Sequence, residues 1–392
     1  MNDQGSGIEA RTSHGGDPRA HPLRSVHTSS MVDLLRQLNS SIAITTYQAG
    51  KVILLRELNG AINTHFRDFD APMGLAFDGA RLAIGTRHQV WVFYNQPDVA
   101  ERLRSQESGV RDQESKQTGA QLTPDSCLLT PDSCFMPRWS HFTGDINSRD
   151  LAWAGDDLWV VNTRFSCLCT LDRAHSFIPR WRPRFVSSLG PEDRCHLNGL
   201  CVVDGAPRFV TALGQSDAAE GWREHRANGG CLINVPSGAI LANALSMPHS
   251  PRWHDGRVWF TESGAGRLSY LDPKSGKPVI VAELPGFTRG LDFVGAYAFV
   301  GLSQVRESAV FSGLPITERL TPDERACGLW VVDVRNGQTA GFVRFESGIQ
   351  EIFAVNVLSG MHTPDLITDS EELLGNSFVL PDAALRELGP PR

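Results

Sequence analysis

The chain has 392 residues, 41% of them hydrophobic and 21% charged, with a formal net charge of −7. An acidic chain without Lys/Arg clusters argues against a general nucleic-acid or anionic-membrane binder, and no apolar run approaches the roughly 20 residues needed to span a bilayer. The N-terminal stretch lacks the hydrophobic core of a secretory signal. The eight cysteines show no C-x-x-C spacing and read as small buried thiols, so a cytoplasmic location is expected.

Residues 1–29 are polar and rich in Gly, Ser and His and read as a disordered tail. In Ser30 to Ser40, Met31, Leu34, Leu35 and Leu38 recur at helical spacing, with Ser30 as N-cap. From Ser41 onward the chain is almost all short strands. Residues 151–172 and 251–272 align without a gap at an offset of one hundred. Trp153 matches Trp253, Trp159 matches Trp259, and Leu171-Asp172 matches Leu271-Asp272. Related units open at Gly74, Asp150, Gly199, Pro251, Gly290 and Glu351. Full units carry four strands, the last being Ile178 to Val186, Ala239 to Ala244, Pro278 to Leu284 and Thr339 to Phe345. Such a repeat predicts an all-β, six-bladed β-propeller with four-stranded blades over residues 30–358. The sixth unit lacks its later strands, which Ile42 to Thr46, Val52 to Leu55 and Ile62 to Phe69 supply, so one blade is closed by N- and C-terminal strands. Residues 96–133, with the duplication LTPDSCLLTPDSC, read as a flexible insertion in the first blade. Residues 359–392 form a C-terminal tail with a weak helix around Ala383 to Leu388.

With strands lettered A to D from centre to rim, the D-to-A and B-to-C connections of a propeller open on one face. The A-to-B turns here are tight. The B-to-C loops of the third and fifth blades are long and polar, as expected of a binding face. The D-to-A connections bring Arg149 and Asp150, His196 and Asn198, His249, Arg289, and Gln350 and Glu351 toward a central funnel. Asn162, Arg164, Glu262, Thr46 and Tyr47 join from B-to-C loops.

Three chemistries fit this set. In the first, His196 and His249 with Glu351 or Asp150 hold a divalent metal, with His141 as a further imidazole. In the second, His196 or His249 is a general base and Arg289 and Arg149 anchor an anionic group, with Glu351 completing the catalytic set. Substrate contacts then come from Arg149, Asp150, Asn162, Arg164, Asn198, Glu262 and Gln350. The bland counterpart is histidines bonded to backbone carbonyls and arginines paired with Glu351 or Asp150. In the third, the face is a non-catalytic protein-interaction scaffold, with Trp222, Arg223, Arg306 and Phe311 as contact residues. The leading expectation is binding of a polar or anionic small molecule or peptide group in the funnel, with its chemical transformation, metal-assisted or not, left open. No G-x-S-x-G elbow or glycine-rich phosphate loop is present.

CHLNGL (195–200), RANGGCL (226–232), SMPHSPRWHDGR (246–257), ELPGFTRGLDF (283–293) and IQEIF (349–353) resemble an uncharacterised bacterial family, common in cyanobacteria and proteobacteria. Its members are known only as conserved hypothetical proteins or a domain of unknown function, and some are associated with tetratricopeptide repeats. The resemblance spans Ser41 to about Pro364; it implies a propeller-like fold and no established activity. Members usually read His-Asp-Leu/Ile-Ala where this chain has Arg149-Asp150-Leu151-Ala152, so one candidate metal ligand is missing. At fold level the layout is similar to the gluconolactonase and senescence-marker class, whose funnels hold a divalent metal; fold does not fix function.

Overall fold

A computed structural model describes residues 10–12, 24–101, 131–304, 313–368 and 371–388. Six sheets, each built on four antiparallel strands and two of them extended by further strands, form a six-bladed β-propeller. Blade 1 comprises Leu75–Phe77, Arg81–Gly85, Gln89–Asn95 and Ser133–Phe142. Blade 2 comprises Ser148–Ala154, Asp157–Asn162, Cys167–Thr170 and Ile178–Trp181. Blade 3 comprises Leu197–Val203, Ala206–Ala212, Gly230–Asn234 and Ile240–Leu245. Blade 4 comprises Pro248–His254, Arg257–Glu262, Arg267–Leu271 and Pro278–Glu283. Blade 5 comprises Phe287–Val294, Tyr297–Ser303, Cys327–Asp333 and Gln338–Phe345. Blade 6 takes its inner strand, Ala354–Ser359, from late in the chain and the other three, Ser40–Thr46, Lys51–Leu58 and Ala61–Asp68, from early in it.

Local chemistry explains the hairpins. Asp255-Gly256, Asp204-Gly205 and Asn59-Gly60 each have two positive φ values and sit between directly paired residues. That is the two-residue turn whose twist matches the strands, and Asn or Asp followed by Gly enters it at least cost. Each boundary between neighbouring blades has its own apolar cluster. Val161 and Leu168 of blade 2 meet Leu200 and Val210 of blade 3; Trp259 and Leu268 of blade 4 meet Leu291 and Val300 of blade 5. The repeated tryptophans keep their roles. Trp159 and Trp259 pack toward the following blade. Trp153 and Trp253 reach the preceding one, Trp153 through a hydrogen bond to the Ala76 carbonyl and Trp253 by stacking on Phe209 at 5.8 Å.

Polar latches join the blades as well. At the end of second strands, Thr45 donates to the Met73 carbonyl (2.5 Å), Thr163 to the Leu197 carbonyl (2.5 Å), Thr261 to the Thr288 carbonyl (3.4 Å) and Ser303 to the Ile352 carbonyl (3.1 Å), each in the next blade. Acceptors on inner strands do the reverse. Asp150 takes the Leu200 N–H, Ser250 the Gly290 N–H and Asp292 the Val357 N–H. Buried backbone groups at the blade boundaries are thereby satisfied.

Blade 6 is the seam, and both of its neighbours overlap it. Ser25–Thr28 adds a strand to the outer edge of blade 5, and helix α1 (Ser29–Gln37) then buries Met31, Leu34 and Leu35 between blades 5 and 6. On the other side Pro364–Leu366 pairs in parallel with Ser133–Phe135 at the edge of blade 1. Arg56 donates to the Pro364 carbonyl, Arg67 to the Leu366 carbonyl and to Asp365, and His65 lies 2.8 Å from Asp365.

Several expected boundaries move. The tail expected over 1–29 gives up Ser25–Thr28 to the sheet, and Thr28, not Ser30, occupies the N-cap position. Residues 1–9 and 13–23, and 102–130 of the expected insertion, lie outside the described residues. The last strand of blade 2 stops at Trp181, before Pro183, which has no N–H for a ladder. The tail expected from 359 first contributes Pro364–Leu366 to blade 1, and the helix expected around Ala383 spans Asp382–Leu388.

Candidate functional site

The D-to-A and B-to-C connections surround a cavity of about 600 Å³, and a neighbouring one of about 170 Å³ shares Asn147, Arg149 and Arg164 with it. The larger is lined by Arg149, Arg164, Glu192, Asp193, His196, Trp222, Arg223 and Arg289, among others. The smaller adds Tyr47, Met73, Arg87 and Asp145.

One wall is built by two loops that lock together. The connection into blade 3 places Asp193 and His196 in the left-handed region, with φ of 45° and 50°. This turns the His196 ring back so that Nδ1 lies 2.7 Å from Asp193 Oδ2. The Trp222 indole N–H donates to the same oxygen at 3.2 Å, and its ring centroid lies 4.3 Å from that of His196. Trp222 rides on the 3₁₀ turn Gly221–His225 of the long blade 3 loop. Gly214 is required beneath it, because a Cβ there would come within 2.9 Å of Trp222 Cα. Asp217 holds the loop to its neighbour by accepting from the Ser187 N–H (2.8 Å) and Arg194 (2.7 Å), and the Glu220 N–H donates to the Glu192 carbonyl (2.9 Å). Arg223 lies over the Trp222 ring at 4.7 Å and pairs with Glu220.

The lining also carries cationic groups stacked on a buried aromatic ring. The guanidinium groups of Arg149 and Arg289 lie 5.3 and 3.4 Å from the centroid of the Phe353 ring. Arg289 is buried and pairs with buried Glu351 at 3.1 Å. Arg164, at the rim, pairs with Asp145 at 2.7 Å. Next to His196, burial pushes the Cys195 thiol up to about 12, so it supplies no thiolate near neutral pH.

Of the expected site residues, His196, Arg149, Arg164 and Arg289 line one cavity. Others take structural work. His249 is buried with Nδ1 2.8 Å from the Met247 carbonyl. Glu351 faces Arg289 as its counter-ion. Asp150 accepts the Leu200 N–H at 3.0 Å and pairs with Arg252 at 3.1 Å, joining blades 2, 3 and 4. Asn198 donates to the Pro248 carbonyl and accepts from Thr211. Asn162 accepts the Phe165 N–H inside its own loop. Glu262 accepts the Ser246 N–H. Gln350 is exposed and lines neither cavity. His141 lies on the outer strand of blade 1, 2.9 Å from the Ser176 carbonyl, far from a funnel position.

The structure does not bring the expected metal set together. His196, His249 and Glu351 each face a different partner, and among the described residues no group of three or more His, Cys, Asp or Glu is placed to hold a metal ion. Trp222 is buried, and what it shows lines the larger cavity. Arg306 and Phe311 lie outside the described residues. Sequence reasoning missed Asp193, three residues before His196, and Phe353, two residues after Glu351.

No curated protein matches the chain. Similar solved structures include a chain of a nidogen–laminin complex (9% identity over 82% of this chain and 99% of that one, TM-score 0.46). A protein of unknown function from Bacteroides caccae has 9% identity over 81% and 98%, with a TM-score of 0.46. Virginiamycin B lyase from Staphylococcus aureus has 10% identity over 82% and 76%, with a TM-score of 0.36. Residues 29–367 match the model of one family throughout, and the chain belongs to it: Domain of unknown function (DUF4915).

Proposed function

We propose that the larger cavity binds a polar small molecule or peptide group with an anionic moiety, and that His196, oriented by Asp193, exchanges a proton with it. The observation that carries this reading is that two guanidinium groups, Arg149 and Arg289, both line the cavity and both lie over the one buried Phe353 ring. Planar guanidinium forks match carboxylate and phosphate geometry. An imidazole with Nδ1 held by a carboxylate has its tautomer and orientation set, which is the arrangement a histidine needs for acid–base work. Half-buried Arg164 and exposed Arg223 favour a second reading, a non-catalytic protein-interaction face. Seven described cysteines are buried and free, which supports a bacterial cytoplasmic location as part of the proposal.

The test is calorimetric titration of the full chain with a panel of small carboxylates and phosphate esters, repeated on Arg149→Gln and His196→Gln. Saturable binding that weakens about tenfold in Arg149→Gln is expected. A panel without saturable binding, or affinity unchanged in Arg149→Gln, overturns the reading in favour of the interaction face.

A further inference from the structure

We propose that a second cavity, between blades 6 and 1, is a binding site for a neutral sugar ring. It has a volume of about 210 Å³ and shares no lining residue with the funnel cavities. That is below the roughly 300–1,000 Å³ of drug-sized ligand sites and suits a single pyranose.

The chemistry of the lining selects the ligand. Phe69 stands at 78° to both Trp91 and Phe93, with centroids 6.5 and 6.1 Å away, while Trp91 and Phe93 lie 26° from parallel at 6.3 Å. The three rings make a right-angled aromatic corner. Phe69 and Trp91 are only half-buried, so ring surface remains open in the cavity. A pyranose carries aliphatic C–H groups on its faces, which pack on the slightly negative face of an aromatic ring. Its hydroxyls point outward around the edge and need partners.

Those partners line the rest of the cavity. Asp68 and Asp70 are exposed, and Gln89 lines the same cavity. Each carboxylate already faces a cation. Asp68 pairs with Lys51, and Asp70 pairs with Arg87 at 3.1 Å, with His88 at 3.7 Å. The local charge is therefore balanced, which disfavours an ammonium ligand in spite of the aromatic rings. A carboxylate has about four lone-pair sites, so one engaged by a cation can still accept from hydroxyl groups. Apolar corner, charge-balanced acceptors and monosaccharide size point together to an uncharged polyhydroxylated ring.

Titration of the full chain with methyl α-glucopyranoside, methyl β-galactopyranoside and methyl α-mannopyranoside, followed by tryptophan fluorescence and amide NMR shifts, tests the assignment. Tetramethylammonium serves as the charge probe. At least one glycoside is expected to saturate, with Gln89 and Trp91 signals moving. Affinity should fall about tenfold or more in Asp68→Ala or Asp70→Ala. Both positions are exposed, so the melting temperatures of these variants should match that of the unaltered chain, and Arg149→Gln should leave glycoside binding unchanged. The site is overturned if no glycoside saturates, if binding survives in both Asp variants, or if tetramethylammonium binds more tightly than every glycoside.

Discussion

Thr163 closes the second strand of blade 2 and donates its hydroxyl to the carbonyl of Leu197, 2.5 Å away in blade 3. Both residues are fully buried. Removing the hydroxyl leaves a carbonyl without its donor, where no water replaces it. Thr163→Val, which keeps the shape, should cost about 1–3 kcal/mol. Urea denaturation measures it. A loss no larger than that of an exposed substitution such as Asp156→Ala would mean the latch holds nothing.

Arg289 and Glu351 are a second buried pair, and their stability contribution differs in kind. Arg289→Met strands a carboxylate in the protein interior and should cost about 3–5 kcal/mol. Arg289→Met combined with Glu351→Leu removes both charges and should recover most of that loss. If the double variant is as unstable as the single, the pair is not the cause.

Asp193 holds two donors on one oxygen, the His196 ring and the Trp222 indole. Asp193→Ala frees both and should destabilise the chain by about 1–3 kcal/mol. Trp222→Phe removes one donor, keeps an aromatic partner for His196, and should cost less. Ligand affinity should fall in Asp193→Ala and persist in Trp222→Phe. The opposite order would show that Asp193 supports the loop and not the imidazole.

The clasp of Pro364–Leu366 onto blade 6 should respond to acid. Burial lowers the His65 pKa from its ordinary 6.5, with nearby Asp365 opposing the shift only in part. A histidine lowered on folding is protonated more readily in the unfolded chain, so its contribution is lost as pH falls below 6.5. Burial alone would raise Asp365, but His65, Arg67 and the Leu366 N–H bring it below its ordinary 3.8. Its contribution is present above 3.8 and disappears below it. The melting temperature should therefore drop between pH 7.5 and 5.5, and His65→Gln should flatten that slope. Parallel slopes in the two proteins would exclude His65 as the sensitive group.

The fold was legible because its instructions are local. Tight A-to-B turns, short strands and tryptophans one hundred residues apart each specify a short piece, and repetition around a ring specifies the whole. The site was legible only as far as ring geometry reaches. Geometry brought His196, Arg149, Arg164 and Arg289 to one cavity, but it does not say which way a side chain turns. His196, Met247 and Ser250 all adopt φ near 50°, a left-handed conformation that no glycine announces. At those positions His196 turns toward Asp193, while His249, set between Met247 and Ser250, turns to a carbonyl of its own loop. Short polar residues such as Asp150 and Asn198 read equally well as ligand contacts or blade latches. The neighbouring blade's unpaired backbone N–H and C=O groups claim them first.

The split origin of blade 6 sets an order of events during synthesis. Ser40–Asp68 leave the ribosome early, but their inner-strand partner, Ala354–Ser359, follows about 290 residues later, a delay of roughly 15–60 s at ordinary elongation rates. Throughout that interval the apolar side chains of Ile42, Ile44, Ile53 and Leu55 lack the strand that completes their sheet. Nascent chains stalled before residue 354 should be cut by protease within residues 40–68, and chains released after 366 should resist. Blades 2 to 5 can assemble in the order they are made. The seam converts a closed ring into a checkpoint, at which the strands of residues 40–68 stay available to chaperones until the last blade has been translated.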